Sequence, residues 1–173
     1  NIERFVGGSY ADNLRGGNAD DVLYGEGVSD RLYGRAGDDT LNGGTGADAI
    51  YGNRGADQMT GGPDEGRRDR FIFFNESESG VGAGNRDIIT DFKPGEDRIE
   101  LSRIDGDSLT EGKQDIHFIG SNGFTGNAGE LRAGMVRSDN ITLVQLDLDG
   151  DGVADFEIEL TGLLTLSAND FLI

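Results

Sequence analysis

The sequence predicts an all-β fold, a right-handed parallel β-roll that is capped by C-terminal antiparallel hairpins. Three observations predict it: a nine-residue period, a glycine that opens every repeat, and an aspartate and an apolar residue at fixed places within each repeat. Six repeats follow one another without a gap from position 7, and they read GGSYADNLR, GGNADDVLY, GEGVSDRLY, GRAGDDTLN, GGTGADAIY and GNRGADQMT. Self-similarity at a fixed period is typical of a solenoid, in which stacked repeats bury a common core.

Each repeat divides into a six-residue turn and a three-residue strand. Glycines supply the left-handed backbone conformations that such turns need. In the strand, the eighth place faces inward and the seventh and ninth places face outward, because side chains alternate along a strand. The eighth place is apolar in every unit: Leu14, Leu23, Leu32, Leu41, Ile50 and Met59. Two repeats form one coil, so each unit stacks on the unit two repeats further along the chain.

The sixth place holds an aspartate in every unit, and the stacking arranges these residues in two columns. One column contains Asp12, Asp30 and Asp48, and the other contains Asp21, Asp39 and Asp57. Carboxylates one strand spacing apart repel each other unless a cation lies between them. Ca²⁺ suits this position because it prefers many oxygen ligands. The sequence therefore predicts several calcium ions, held by these carboxylates and by backbone carbonyls at Gly37, Gly44, Gly46 and Gly55.

The turns are not equally regular, and the best-ordered calcium ions are expected in units four to six. The turn GGTGAD (43–48) has the full pattern, whereas units one to three lack the glycine in fourth place. These turns do not suit phosphate, since a phosphate loop needs bare amides and a lysine rather than an aspartate.

Composition limits the other possibilities. The 173 residues suffice for one domain or two small ones, and 30 glycines beside 2 prolines at a period of nine exclude collagen. The net charge of -18 argues against nucleic acid and anionic membranes as partners. The absence of cysteine excludes disulfides and thiolate metal sites, and no apolar run is long enough to insert into a membrane. A disordered acidic chain is the simple alternative, but it gives no reason for an aspartate at every ninth residue.

The seventh unit breaks the pattern and marks the predicted domain boundary. After Gly61 and Gly62 the chain reads PDEGRRDRFIFF, and Asp69 and Phe71 restore the aspartate-x-apolar spacing after a short insertion. Asp69 is therefore added to the predicted calcium ligands. The apolar run 71–74 is expected to cover the end of the roll, which otherwise exposes strand edges. The prediction is a calcium-binding roll over 1–70 and a capping region over 71–173.

Two hairpins are predicted in the second half. Residues 86–104 alternate apolar and polar around the turn KPGE, and residues 141–160 do so around DGDG. Asp147, Asp149, Asp151 and Asp155 imitate the first places of an EF-hand loop, but Ile158 occupies the twelfth place and both flanks are predicted strands. Two alternatives remain open for this turn: an acidic turn without metal, or a further calcium site.

No catalytic constellation is present, so the module itself is predicted not to be an enzyme. The sequence has no H-E-x-x-H motif and no cysteine, and the single His117 lies in an alternating stretch that suggests a structural role. A stripe of arginine and tyrosine on one outer sheet face suggests binding of an anionic polysaccharide such as alginate, through Arg15, Arg31, Tyr33 and Tyr51. The alternative is that these side chains simply cover the strands.

The chain resembles the repeats-in-toxin calcium-binding modules at the C-termini of type I secreted bacterial proteins. The resemblance rests on the repeats and on the later blocks DRFIFF, RDIITDFKPGEDRIELS, DGDGVADFEIELTG and ANDFLI. Two groups of relatives are similar: the R-modules of secreted mannuronan epimerases, favoured by the DGDGVADFEIEL block, and the C-terminal domains of serralysin-type metalloproteases.

The resemblance implies a secreted, extracellular, calcium-folded module, expected to be monomeric, within a longer enzyme. It implies a C-terminal signal for the type I secretion apparatus at residues 170–173, and a further calcium site after the roll with Glu78 and Asp87 as the matching acids. If the serralysin resemblance is the closer one, the module serves folding and secretion of a protease or lipase without binding carbohydrate.

Overall fold

The computed structural model describes residues 2–63 and 66–173. In this part of the chain there is no helix that is long and apolar enough to cross a membrane. The two short 3₁₀ segments are Glu76–Glu78 and Ala168–Asp170. The strands are β1 (Arg4–Gly8), β2 (Asn13–Arg15), β3 (Val22–Glu26), β4 (Arg31–Ala36), β5 (Thr40–Asn42), β6 (Ala49–Arg54), β7 (Gln58–Thr60), β8 (Arg70–Ile72), β9 (Asp87–Ile89), β10 (Arg98–Glu100), β11 (His117–Phe118), β12 (Glu130–Val136), β13 (Ile141–Asp147), β14 (Phe156–Thr161) and β15 (Phe171–Leu172).

The strands form two sheets, and successive strands of the repeats alternate between them. The nine-stranded sheet has the order β1-β3-β5-β7-β9-β14-β13-β12-β11, and the six-stranded sheet has the order β15-β10-β8-β6-β4-β2. Neighbouring repeat strands within each sheet are parallel. This confirms the predicted all-β fold and the prediction that two repeats form one coil.

The core lies between the two sheets and consists of the eighth-place residues. Leu32 pairs with Leu14 on one side and with Ile50 on the other, and Ile50 pairs in turn with Phe71. From the second unit onward, these inward side chains are fully buried. Burial of each such side chain stabilises the fold by about 1.5–3 kcal/mol. The nine-residue period therefore places one apolar anchor in every strand.

Aromatic residues fill the core beyond the repeats, but the run 71–74 does not cover the end of the roll as predicted, because β8 lies between β6 and β10 in the six-stranded sheet. Phe71 packs against Phe92 with ring centroids 6.2 Å apart, and Phe73 packs edge-on against Phe156 at 5.4 Å. Phe71, Ile72 and Phe73 are all buried. The antiparallel strands β12, β13 and β14 extend the nine-stranded sheet beyond this cluster, and the predicted hairpin over 141–160 is confirmed.

The predicted hairpin over 86–104 is wrong. Strand β9 pairs in parallel with β7 and β14 in the nine-stranded sheet, whereas β10 pairs in parallel with β8 and β15 in the six-stranded sheet. The reason lies in the aspartate-x-apolar spacing, which recurs as Asp87-Ile88-Ile89 and Asp97-Arg98-Ile99. Alternation of apolar and polar residues occurs both in hairpins and in the coils of a β-roll, so this pattern alone does not distinguish the two structures. The parallel coils consequently continue past residue 70.

The last strand, β15, joins the edge of the six-stranded sheet. Its Phe171 pairs with Ile99 and is 4% exposed. Asp170 precedes it, and its Oδ1 accepts a hydrogen bond from the Gly95 amide at 2.6 Å while Oδ2 accepts one from the Ser167 amide at 2.7 Å. The acidic and apolar residues at positions 170–173 are thus part of the folded sheet.

Candidate metal centre

A ladder of hydrogen bonds links the repeat aspartates in the two predicted columns. In the first column, the amides of Asp12, Asp30 and Asp48 each donate to the Oδ1 atom of the aspartate one coil further on, at 2.7 Å. In the second column, the amides of Asp21, Asp39 and Asp57 do the same at 2.7–2.9 Å. The acceptors at the far ends are Asp69 and Asp87. One oxygen of each carboxylate is therefore held by the neighbouring coil.

The second carboxylate oxygen is buried, and in four of these residues it finds no hydrogen-bond donor within the described part of the chain. These atoms are the Oδ2 atoms of Asp30, Asp39, Asp57 and Asp87. Buried polar atoms are nearly always satisfied, and leaving one unsatisfied costs about 1–3 kcal/mol. Buried carboxylate oxygens that repeat along a column match the hard oxygen ligands that Ca²⁺ prefers. The residues present therefore fit the predicted cation.

The first two units differ, because their own turns satisfy this oxygen. The amide of Gly8 donates to Asp12 Oδ2 at 2.7 Å, and the amide of Gly17 donates to Asp21 Oδ2 at 2.6 Å. From the third unit onward the second place is left-handed instead, with positive φ at Glu26, Arg35, Gly44 and Asn53. Among these turns, those of units three, four and six carry Asp30, Asp39 and Asp57, whose Oδ2 atoms find no donor within the described part of the chain.

The fourth place of these turns is also left-handed, even where it is not glycine. Val28 has φ 63°, beside 109° at Gly37, 136° at Gly46 and 141° at Gly55. A β-branched residue rarely adopts this conformation. The stacking of the coils imposes it, so the irregular third unit keeps the backbone of the regular ones.

Carbonyl oxygens of one coil lie against the glycines of the next. A Cβ atom on Gly55 would lie 2.0 Å from the carbonyl oxygen of Gly37, and one on Gly62 would lie 2.0 Å from that of Gly44. A Cβ on Gly46 would lie 2.1 Å from the carbonyl of Val28. Only glycine fits these positions. Two of the four predicted carbonyl ligands, Gly37 and Gly44, thus lie at the junction between coils, and the ligand role of all four stays a prediction.

Burial and mutual repulsion make the carboxylates hard to ionise. Burial raises the pKa of Asp39 to about 6, and the charge of Asp21 adds to this effect. Burial raises the pKa of Asp57 to about 7, with further contributions from Asp39, Asp38 and Glu78. Burial likewise raises the pKa of Asp30. Hydrogen bonds from backbone amides oppose these shifts without cancelling them. A positive charge between the coils would relieve this repulsion.

The second column ends at Asp87, and the structure brings Glu78 close to it. A Cβ on Gly52 would lie 2.3 Å from Asp57 Oδ2 and 3.0 Å from Asp87 Oδ2, so these oxygens converge on one point. Burial, followed by the charges of Asp57 and Glu78, raises the pKa of Asp87 well above its usual value. Glu78 is 5% exposed, and burial raises its pKa as well. We call Asp57, Glu78 and Asp87 the junction site.

One member of the aspartate ladder escaped the sequence prediction. Asp97 accepts a hydrogen bond from the Asp69 amide at 3.2 Å and is buried. It lies within the predicted hairpin over 86–104, which gives it no place in the two columns. The aspartate-x-apolar spacing of Asp97 and Ile99 is the signal that could have identified it.

The DGDG turn collects three carboxylates. One ligand atom from each of Asp147, Asp149 and Asp151 lies within 4.8 Å of the others. Asp147 is fully buried, and its two oxygens accept hydrogen bonds from the amides of Gly150 at 2.8 Å and Gly152 at 2.9 Å. The turn is therefore held together by its own backbone amides.

The predicted arginine and tyrosine stripe is assembled on the outer face of the six-stranded sheet. Arg15 pairs with Tyr33 and Tyr33 with Tyr51, and the Arg15 guanidinium carbon lies 5.4 Å from the Tyr33 ring centroid. Tyr33 and Tyr51 stack on each other at 4.4 Å with an interplanar angle of 13°. The row continues to Phe74, over which Arg103 lies at 4.5 Å. Since Tyr33 and Tyr51 cover each other's faces, they present mainly edges and hydroxyls to the solvent.

A second row on the same face is rich in arginine. Arg31 pairs with Ala49, Ala49 with Arg70, and Arg70 with Arg98. The acidic residue among the outward seventh and ninth places of β2, β4, β6, β8 and β10 is Glu100, which forms an ion pair with Arg70 at 3.5 Å. We call the surface formed by the outward side chains of β2, β4, β6, β8 and β10 the arginine face. It is a basic surface on a chain whose net charge is -18.

The chain matches a known protein family over almost its whole length. The model of the family described as Peptidase M10 serralysin C terminal matches residues 2–173. The metallopeptidase AprA of Pseudomonas marginalis is 36% identical over 98 residues, which cover 56% of this chain and 18% of the relative. Serralysin A of Dickeya chrysanthemi is 32% identical over 103 residues, which cover 60% of this chain and 20% of the relative. The chain thus spans about a fifth of the length of these curated relatives.

Among solved structures, the chain is similar to the solution structure of the AlgE6R3 subunit from the Azotobacter vinelandii mannuronan C5-epimerase. The identity is 28% and the TM-score 0.45, with 95% of this chain and 80% of that chain covered. The AlgE6R2 subunit of the same epimerase matches with the same identity and TM-score, over 98% of this chain and 91% of that one.

Proposed function

Because the chain belongs to the Peptidase M10 serralysin C-terminal family, we propose that it is a non-catalytic, calcium-binding module of an extracellular enzyme. The observation that carries the proposal is the row of buried Oδ2 atoms at Asp30, Asp39, Asp57 and Asp87 that find no hydrogen-bond donor among the described residues. Buried polar atoms without a partner destabilise a fold, so a row of them is expected only where a ligand binds these atoms.

The residues that would hold the ions are the repeat aspartates and the carbonyls at the junctions between coils. Bound Ca²⁺ supplies positive charge between carboxylates that otherwise repel. The aspartates of neighbouring coils come together only when the roll is folded, so the free energy of ion binding contributes to the free energy of folding. The chain is accordingly expected to be unfolded where calcium is scarce and folded where calcium is abundant.

This coupling suits a secreted module, and the proposed location is extracellular. An unfolded chain can pass through a type I secretion channel, whereas a folded roll cannot. The named relatives are a metallopeptidase and a serralysin. We propose that the module acts as a monomer and supports an enzyme domain elsewhere in its parent protein.

A calcium titration followed by far-UV circular dichroism tests the proposal. The expected result is a calcium-dependent change from coil to β-structure, reversed by EDTA. A variant with Asp30, Asp39 and Asp57 all changed to asparagine should need much more calcium, whereas the exposed pair Asp115→Asn and Asp139→Asn should not. A spectrum that is already native in EDTA and insensitive to calcium would refute the proposal.

A second proposed activity is binding of an anionic polysaccharide, with alginate as the probe, on the arginine face. It is supported by the concentration of arginines there, because polyuronates carry a carboxylate on each sugar and guanidinium groups bind carboxylates well. The stacked tyrosines offer hydroxyls rather than ring faces, so hydrogen bonds and ion pairs would carry the contact.

Calorimetric titration with alginate in saturating calcium tests this activity. Arg31→Ala with Arg70→Ala should weaken binding at least tenfold, as should Arg15→Ala with Tyr33→Ala. The exposed Arg137→Ala provides the control for charge. If the wild-type protein does not bind alginate, the module serves folding and secretion only, as in the alternative that places it in a protease or lipase.

A further inference from the structure

The segment between β8 and β9 connects the junction site to the antiparallel part of the nine-stranded sheet. It carries Glu78 before a buried serine, Ser79, and it ends at Asp87. Ser79 Oγ accepts a hydrogen bond from the Asp87 amide at 2.8 Å and donates one to the carbonyl oxygen of Glu157 in β14 at 2.5 Å. One hydroxyl therefore joins the end of the aspartate column to β14.

Ser79 replaces the carboxylate that accepts the amide at every earlier step of this column. The amides of Asp21, Asp39 and Asp57 all donate to a carboxylate oxygen, whereas the amide of Asp87 donates to a hydroxyl. A carboxylate can only accept hydrogen bonds, but a hydroxyl both accepts and donates. Ser79 can therefore accept the Asp87 amide and at the same time donate to a backbone carbonyl of β14, which a carboxylate in its place could not do.

Arg86 fastens the same segment to β14 with two ion pairs. Its Nη1 atom lies 2.6 Å from Glu157 Oε1, and its Nη2 atom lies 2.5 Å from Glu159 Oε2. The three side chains are 10%, 4% and 18% exposed. Gln145 Nε2 donates to the other oxygen of Glu157 at 2.7 Å, which orients that carboxylate. Buried ion pairs with additional hydrogen bonds are sensitive to the loss of either partner.

Arg86 directly precedes Asp87, and Asp87 lies opposite Ile158 in the pairing of β9 with β14. Any displacement of the Arg86 side chain from β14 would therefore shift the backbone that positions the Asp87 carboxylate. This carboxylate converges with that of Asp57 on one point, so a small shift would separate the two oxygens.

We propose that Ser79 and Arg86 are positioning residues for the cation at the junction site. Through them, occupation of this site and docking of the β12–β14 strands are coupled. The proposal rests on the proposed function, since it presupposes calcium, but it concerns one site and two residues that are not ligands themselves. Residues that orient metal ligands typically change metal affinity by about 10–100-fold when they are replaced.

The test is a calcium titration of the ¹⁵N-labelled chain, in which amide shifts report each site separately. In Arg86→Gln and in Ser79→Ala, the calcium midpoint at Asp57 and Asp87 should rise at least tenfold, while the midpoint at Asp30 stays within about twofold of wild type. Arg86→Lys keeps one charge but not the paired geometry and should give an intermediate midpoint. Arg137→Gln removes an exposed charge from the turn between β12 and β13 and should change neither midpoint.

Hydrogen exchange of β13 and β14 amides supplies the second readout. In the wild type, protection of these strands should appear at the calcium midpoint of Asp87, and in Arg86→Gln the two midpoints should separate. Equal shifts at all aspartates, or none, in a calcium-responsive protein would overturn the coupling and leave the proposed function intact. A wild-type chain in which no aspartate amide responds to calcium would overturn both.

Discussion

Replacing Asp57 by asparagine should have opposite effects on the calcium-free and the calcium-loaded fold. Asparagine keeps an oxygen that can accept the hydrogen bond from the Asp39 amide. It removes the negative charge of a residue that is only 1% exposed. Without calcium, this charge destabilises the fold. With calcium, the same carboxylate is proposed to be a ligand, so its loss should weaken the site.

The magnitude follows from the pKa. Burial and neighbouring carboxylates raise the pKa of Asp57 from 3.8 to about 7. Since one pKa unit corresponds to about 1.4 kcal/mol, ionisation at pH 8 costs the calcium-free fold on the order of 4 kcal/mol. Protonated Asp57 stabilises the calcium-free fold fully at a pH below the pKa that Asp57 has in the unfolded chain. This stabilisation is lost as the pH rises through the pKa that Asp57 has in the folded protein. The benefit of Asp57→Asn in EDTA should therefore be large at pH 8 and small at pH 4.

Urea unfolding in EDTA, with an osmolyte such as sucrose to populate the calcium-free fold, measures the first effect. The same experiment in calcium measures the second. Asp139→Asn is the control, because Asp139 is an exposed aspartate outside the aspartate columns. If Asp57→Asn destabilised the calcium-free fold at pH 8 as strongly as the calcium-loaded one, the assignment of a repulsive, buried carboxylate would be refuted.

Three further predictions concern the turns and the pH dependence of binding. Gly55→Ala should lower the stability of the calcium-loaded fold by roughly 2–5 kcal/mol in urea unfolding, because its Cβ would lie 2.0 Å from the Gly37 carbonyl at φ 141°. Gly95→Ala, where φ is 86° and the Cβ would meet no atom within 4 Å, should cost much less. Val28→Gly should raise the stability by about 1 kcal/mol in the same assay, because it relieves a left-handed β-branched residue. Calcium affinity should fall as the pH drops below about 7, since protons compete for carboxylates such as Asp57 whose pKa is raised, and calorimetry in buffers of different ionisation enthalpy should detect proton release on binding.

The coils of the roll could be predicted because their rule is local. An apolar residue two places after an aspartate, repeated every ninth residue, was sufficient to predict the stacking of alternate units and the two columns. The later coils follow the same rule at Asp87 and Asp97 but at irregular spacing. There the period no longer indicated the fold, and the alternation of apolar and polar residues was compatible with a hairpin.

The sequence predicted which carboxylates form the candidate site, but it did not predict the hydrogen bonds and side-chain conformations around them. The aspartate ladder follows from the repeat, but the difference between the turns of units one and two and the later turns depends on which way the amides of Gly8 and Gly17 point. That direction is decided by the neighbouring coil. The stacking of Tyr33 on Tyr51 likewise depends on side-chain conformations that a column assignment does not specify.

The sequence by itself determined the period, the inward residues and the aspartate columns, because each depends only on spacing along a strand or a turn. Only the tertiary structure decided how the roll ends. Arg86 and Glu157 are 71 residues apart, and Ser79 and Glu157 are 78 apart, yet they meet beside Asp87. The arginine face also joins residues from five different strands. Contacts of this kind arise from packing of distant segments, and no periodic pattern in the chain encodes them.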